Sequence, residues 1–214
     1  MEIDKTKEYI DGLYSDKLVD DQLFMLRKEA EEANIPIISK QVEAVLKVLI
    51  KIKKPKKILE VGAAVGYSTL VFALASPQSQ IITIERDTAR AQQARENFKR
   101  YNCQNQISLI EGDALDILPE LTESFDLVFI DAAKGQYNRF FDFIYEQVRP
   151  AGLIVSDNVL YRGMIANPER LVRRQKTIFK RLRSYLSMLT SHSNLETAVL
   201  PVGEGLAISV KEEG

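Results

Sequence analysis

The chain has 214 residues, 45% hydrophobic and 28% charged, with a formal net charge of −1. That length carries one full α/β core, and the near-neutral balance excludes wholesale electrostatic binding of nucleic acid while leaving room for a local patch. One cysteine, Cys103, excludes an internal disulfide, and neither a signal-peptide apolar run after Met1 nor a stretch near the roughly 18 residues of a membrane span is present, so a cytoplasmic protein without a membrane anchor is expected.

Residues 4–34 read as two helices. Leu18, Leu23, Met25, Leu26 and Ala30 make a broken apolar stripe, and Pro36 ends the second helix. Ser39 suits the N-cap of a third, whose apolar face is Val42, Val45, Leu46, Leu49 and Ile52. The basic run Lys47, Lys51, Lys53, Lys54, Lys56 and Lys57 follows, as a helix C-terminus favours. Residues 1–54 thus form a helical layer outside an α/β core of residues 55–214, within one domain. The layer needs a partner surface, which a ligand beneath it or a homodimer would each supply.

The core opens with an apolar run, 58–61, and the loop Gly62-Ala63-Ala64-Val65-Gly66, followed by a helix over 67–76. Gly62 and Gly66 let the backbone turn sharply and approach a ligand. Their Gly-x-x-x-Gly spacing lacks the middle glycine of the dinucleotide fingerprint, which argues against a pyrophosphate on the helix N-terminus. Glu60, just before the loop, suits a cationic or hydroxyl-bearing ligand instead. A second strand, 81–85, ends at Glu85, where nucleotide-binding α/β folds hold ribose hydroxyls. A helix at 88–102 and a third strand, 107–110, lead to Glu111-Gly112-Asp113-Ala114 and a helix at 114–121. The fourth strand, 125–130, ends at Asp131 and precedes a helix at 136–147. The fifth, 153–156, ends at Asp157-Asn158. A helix at 168–190 and strands at 195–200 and 205–211, joined by Pro201-Val202-Gly203-Glu204-Gly205, close the chain. Alternating strands and helices imply a parallel sheet with right-handed crossovers, and the short last connection implies an antiparallel hairpin. The expected architecture is α/β, with a seven-stranded, mostly parallel sheet.

Ligands of open α/β sheets sit beyond the carboxyl ends of the strands, so Asp131, Asp157 and Asn158 should share one crevice. Two carboxylates and an amide carbonyl are hard oxygen donors, suited to magnesium, manganese or calcium rather than structural zinc. Taken singly, Asp157 reads as a helix cap and Asn158 as a turn residue.

With an acid at or just after each of four successive strands (Glu60, Glu85, Asp113, Asp131), the sequence resembles the class I S-adenosylmethionine-dependent methyltransferases over residues 36–211. Asp131-Ala132-Ala133-Lys134-Gly135-Gln136-Tyr137 and Asp157-Asn158-Val159-Leu160 resemble the metal-dependent O-methyltransferases related to catechol and caffeoyl-CoA enzymes. The resemblance implies a Rossmann-like methyltransferase fold, S-adenosylmethionine as cofactor, and magnesium or another divalent cation on Asp131, Asp157 and Asn158. It places Ile38, in a segment lying over the cofactor, among the cofactor contacts. It aims Ser68 at the methionine carboxylate, Asp113 and Ala114 at adenine, and Asp131 at the methionine amino group as well as the metal. Ser68 also reads as a first-turn helix residue, and Asp113 as an N-cap. Lys134 is implied as the catalytic lysine near the acceptor hydroxyl, whose proton it can accept if its own pKa is depressed. Tyr137 reads either as a wall of the acceptor pocket or as a partly exposed helix tyrosine.

The metal chemistry calls for an acceptor with two adjacent oxygens, such as a catechol or 5-hydroxyuracil. Arg162, Arg170, Arg173, Arg174, Lys176, Lys180, Arg181 and Arg183 form a basic segment opposed only by Glu169. Such a segment is either a solvated helix face or a phosphate-binding patch. With Pro201-Val202-Gly203-Glu204-Gly205-Leu206-Ala207-Ile208-Ser209 added to the two motifs, the chain is most similar to bacterial tRNA 5-hydroxyuridine methyltransferases. That resemblance implies tRNA as the substrate, methylated at its wobble position to 5-methoxyuridine, with Tyr137, Arg162, Arg173 and Arg174 toward the RNA. The absence of tryptophan, and Ala133 where many plant-type relatives carry an acid, depart from a dedicated catechol or caffeoyl-CoA enzyme. Three alternatives stand beside this reading. Methylation of small catechol-like metabolites uses the same site. A nicotinamide-dependent oxidoreductase fits Glu85 but leaves Asp157-Asn158 unexplained. A non-catalytic RNA-binding module has no use for the metal set.

Overall fold

The computed structural model describes residues 2–14, 21–161, 163–167, 169 and 173–213. Three helices precede the sheet: α1 (Glu2–Leu13), α2 (Asp21–Glu32) and α3 (Lys40–Lys53). Helix α3 starts where the Val42 N–H donates to Ser39 Oγ at 3.2 Å, and stops at Lys54 in the left-handed region (φ 50°). Its buried face is Val42, Leu46 and Ile50, whereas Ile52 is 75% exposed. Two residues past Ile50 is about 200° around the helix, which points Ile52 away from the core. Met25 of α2 is likewise exposed between buried Leu23 and Leu26. Leu18 lies outside the described residues.

Among the described residues, seven strands make one sheet: β1 (Lys57–Val61), β2 (Gln80–Glu85), β3 (Ile107–Glu111), β4 (Phe125–Ile130), β5 (Val148–Ser156), β6 (Leu195–Leu200) and β7 (Leu206–Lys211). Their order is β3-β2-β1-β4-β5-β7-β6, parallel through β5, with β7 antiparallel to both β5 and β6. The strand order reverses between β1 and β4, so the loops after these two strands flank the crevice where such sheets bind ligands. The intervening helices are α4 (Tyr67–Ala75), α5 (Thr88–Arg100), α6 (Ala114–Ile117), α7 (Tyr137–Gln147) and α8 (Lys176–Ser191).

Both faces of the sheet are covered, and alternate residues of each central strand feed opposite sides. Ile58, Leu127, Phe129 and Val155 join Phe72 of α4 and Phe98 of α5 in a cluster that also takes in Leu23, Leu26, Val42, Leu46 and Ile50 of the N-terminal layer. Leu59, Val61, Val128 and Ile154 face Phe140, Ile144, Leu182 and Tyr185 of α7 and α8. Among the described residues, no helix is long and apolar enough to cross a membrane.

Three elements differ from the sequence expectation. The helix expected over 114–121 is one α turn, α6, followed by a 3-10 turn, Leu118–Glu120, because Pro119 lacks the N–H that would continue it. Strand β5 starts at Val148 rather than 153, across an irregularity in its pairing with β4 between Phe125 and Leu127. Helix α8 starts at Lys176, after a 3-10 turn, Arg173–Gln175. Of the helix start expected at 168, residues 168 and 170–172 lie outside the described residues.

Candidate active site

At the end of β1, Glu60 is fully buried. Ser68 Oγ donates to its Oε1 at 2.5 Å, Thr83 Oγ1 to its Oε2 at 2.5 Å, and Thr69 Oγ1 also to Oε2. Burial pushes the Glu60 carboxyl up to about 7, against these three hydroxyls, which pull it down. Gly62 (φ 104°) must be glycine, since a Cβ there would collide with the Asp131 carbonyl oxygen at the end of β4. Gly66 (φ 83°) is held to glycine by the Phe98 ring behind it. Glu85, at the end of β2, accepts from the Ala64 N–H at 2.8 Å and the Asp87 N–H at 2.9 Å, so its carboxylate is set against the glycine loop. Asp113 caps α6 by accepting from the Leu115 N–H at 2.9 Å.

These loops open on a cavity of about 650 Å³. Ile38, Gly62, Ser68, Glu85, Asp113 and Ala114 line it from the strap before α3, the end of β2, the loops after β1 and β3 and the helix starts that follow those loops, and Asp131, Lys134, Asp157 and Asn158 from the loops after β4 and β5. The cavity thus gathers most of the expected cofactor and metal residues. Glu60 and Gly66 stand behind its wall instead. Glu60 points into the sheet toward hydroxyls from α4 and β2, and Gly66 backs onto α5.

Asp131 and Asp157 repel one another. Burial raises the Asp131 carboxyl, with Glu204 adding to the rise and Lys134 opposing it. Burial and then Asp131 raise the Asp157 carboxyl, against the Asn158 N–H that donates to Asp157 Oδ1 at 2.7 Å. A buried and a partly buried carboxylate that repel one another beside a neutral amide, with Lys134 as the neighbouring cation, fit a divalent cation bound by hard oxygens. The amide of Asn158 would be the third donor. Among the described residues, no group of three or more His, Cys, Asp and Glu side chains is assembled to hold a metal without it.

Tyr137 does not line the cavity. It is fully buried, its hydroxyl donates to the Asp157 carbonyl at 3.0 Å, and its ring packs edge-on to Tyr185 with centroids 5.5 Å apart. It therefore supports the Asp157 loop from beneath, while Gln136 and Phe140 line the cavity. Arg173 is exposed and outside the cavity lining. Arg162 and Arg170 lie outside the described residues, as does the side chain of Arg174. Another arginine of the basic segment reaches the site: Arg181 Nη1 donates to the Gly135 carbonyl at 2.9 Å, and Asn138 Nδ2 donates to the Arg181 carbonyl at 3.0 Å. Helix α8 is thereby tied to the 3-10 turn Lys134–Gln136 that carries the candidate catalytic lysine.

Glu204 was missed by sequence reasoning. It lines the cavity from the turn between β6 and β7, whose carbonyls at Glu204 and Gly205 accept from the N–H groups of Leu160 (3.0 Å) and Val159 (2.9 Å). Its signal was the acid inside the Pro201–Gly205 turn, at the end of the sheet where the other acids lie.

Residues 15–212 match a family model described as O-methyltransferase. A catechol O-methyltransferase of Niastella koreensis is 32% identical over 217 residues, covering 95% of this chain and 96% of that protein. A proposed caffeoyl-CoA O-methyltransferase structure from Staphylococcus aureus matches with a TM-score of 0.89 at 33% identity, covering 96% of this chain and 99% of its own. An O-methyltransferase structure from Bacillus cereus in complex with SAH has a TM-score of 0.84 at 27% identity, covering 95% of this chain and 97% of its own.

Proposed function

Because the chain belongs to the O-methyltransferase family and is an S-adenosylmethionine-dependent methyltransferase, we propose that it methylates the 5-hydroxyl of 5-hydroxyuridine at the tRNA wobble position, yielding 5-methoxyuridine. The cofactor occupies the end of the cavity built by β1, β2 and β3. There Glu85 takes the ribose hydroxyls and Asp113 the adenine amine. The Ser68 hydroxyl is engaged with Glu60, so the first N–H groups of α4, rather than that hydroxyl, meet the methionine carboxylate.

Asp131, Asp157 and Asn158 would hold magnesium or a similar divalent cation. When bound, that ion supplies Lewis acidity that lowers the pKa of the acceptor hydroxyl. Lys134 Nζ, once it has given up its own proton, takes the hydroxyl proton, and Gln136 and Phe140 orient the acceptor ring so that the O–CH3 bond forms in line as the S–CH3 bond breaks and S-adenosylhomocysteine leaves.

The observation that carries the RNA reading is the seat of α8. Its exposed cations Lys176, Lys180, Arg181 and Arg183 lie on a helix bonded to the Lys134 turn. A polyanion held by that helix would present its acceptor base at the lysine. The test uses labelled S-adenosylmethionine and magnesium with tRNA carrying 5-hydroxyuridine, a catechol in parallel, and EDTA controls. Label in tRNA that disappears with EDTA is the expected result; label confined to the catechol would sink the RNA reading. Small catechol-like acceptors are the second reading, favoured by the catechol O-methyltransferase whose similarity runs through 95% of this chain.

A further inference from the structure

A buried charge cluster lies outside the cavity, where α2, α3 and α4 meet. Arg27 is 5% exposed and Glu43 is 2% exposed. Arg27 Nη2 donates to Glu43 Oε2 at 2.8 Å and to the Ile38 carbonyl at 3.1 Å, while its Nε donates to the Tyr67 hydroxyl at 3.1 Å. The Tyr67 hydroxyl in turn donates to Glu43 Oε2 at 2.8 Å, and Lys47 Nζ sits 2.7 Å from Glu43 Oε1. The guanidinium also lies over the Tyr67 ring, 4.6 Å from its centroid.

Such a cluster is a poor way to add stability. Well-packed apolar residues of the same volume would hold three helices together at least as well, because charges lose their hydration on burial. What the planar fork of Arg27 supplies is geometry, since it fixes three acceptors from three elements relative to one another. Two of the three partners, Ile38 and Tyr67, line the cavity. Ile38 lies in an irregular strap that no strand ladder aligns. Burial, with Glu43, pushes the Tyr67 hydroxyl further above its ordinary range, which keeps it a donor.

We propose that Arg27 is a positioning residue for the cofactor: its guanidinium, oriented by Glu43 and the Tyr67 hydroxyl, holds the strap at Ile38 over the S-adenosylmethionine cavity, so that cofactor affinity depends on the contacts of that guanidinium. The inference rests on the cofactor alone and stands whether the acceptor is RNA or a catechol.

The test is calorimetric titration of the full chain with S-adenosylhomocysteine. If Arg27→Met leaves the strap in place only a tenth of the time, the apparent Kd rises about tenfold. KM for S-adenosylmethionine rises in step, while kcat at saturating cofactor stays within about twofold, because no group near the reacting atoms is altered. Arg27→Lys keeps a cation beside Glu43 without the fork and falls between wild type and Arg27→Met. Tyr67→Phe deletes one hydroxyl, so it gives a reading even if Arg27→Met fails to fold; its expected rise in Kd is about threefold. Arg100→Ala serves as the control. It breaks the exposed bridge from Arg100 Nη1 to Glu29 Oε2 (2.7 Å), which ties the same helix α2 to α5, and leaves the Kd unchanged. An unchanged Kd in Tyr67→Phe and any folded Arg27→Met would overturn the proposal. So would an equal rise in Arg100→Ala, or a fall in kcat as large as the rise in KM.

Discussion

Glu60 shows how one side chain binds three elements and what that costs. Its carboxyl rises from an ordinary 4.5 to about 7 in the folded chain. Below the lower value both folded and unfolded states are protonated and no penalty exists. As pH climbs, the unfolded chain ionises first, so stability falls through the window from 4.5 to about 7 and the full loss persists above it. The penalty is at most about 3 kcal/mol. Glu60→Gln removes this titration, so melting temperatures measured against pH should fall less steeply for the variant than for wild type across that window. Asp157 gives a second test. Asp157→Asn relieves its repulsion with Asp131 and, in EDTA, should raise stability by about 1 kcal/mol in thermal melts. The same variant should lose more than about 100-fold in methyl transfer with magnesium present. Stability and activity moving in opposite directions is the outcome a purely structural aspartate would not give.

At the scale of elements, the tie between α8 and the Lys134 turn predicts a particular kinetic defect. Arg181→Ala frees the Gly135 carbonyl and loosens that turn, so kcat should drop about tenfold while KM for S-adenosylmethionine stays put, as steady-state assays would show. This tie was not legible in the sequence. Arg181 belongs to a run of cations, and a run does not say which member turns inward to a carbonyl. The strand ends, by contrast, were legible, because an apolar run closed by an acid marks both the strand and the end of the sheet where the cavity opens. Legibility failed where one residue has two faces to choose from. Glu60 and Glu85 look alike on paper, both acids at strand ends, yet hydroxyls on α4 and β2 draw Glu60 inward while the loop N–H of Ala64 holds Glu85 at the cavity. Tyr137 turned inward for a comparable reason, since the Asp157 carbonyl and the Tyr185 ring offered its hydroxyl and ring a buried seat.

For the molecule as a whole, a net charge of −1 means that any attraction for a polyanion is local. Raising salt from roughly 50 to roughly 200 mM should therefore raise KM for tRNA at least about tenfold, while KM for a catechol changes less than about twofold. Equal sensitivity of the two acceptors in the same assay would remove α8 from the account. The sheet order was legible to the extent that alternating elements and a terminal hairpin permit few topologies. The share of the N-terminal layer in the core was less so. Leu23, Leu26, Val42 and Leu46 pack in the same cluster as Phe72 and Phe129, and nothing in their spacing names that partner. The contact between Gly62 and the Asp131 carbonyl has a consequence for anyone redesigning the enzyme. The glycine loop after β1 and the end of β4 that carries Asp131 share one seam with no room for a methyl group. Widening that loop displaces Asp131, so under the proposed assignment of the two sides to cofactor and acceptor, cofactor preference and acceptor chemistry would have to be altered together.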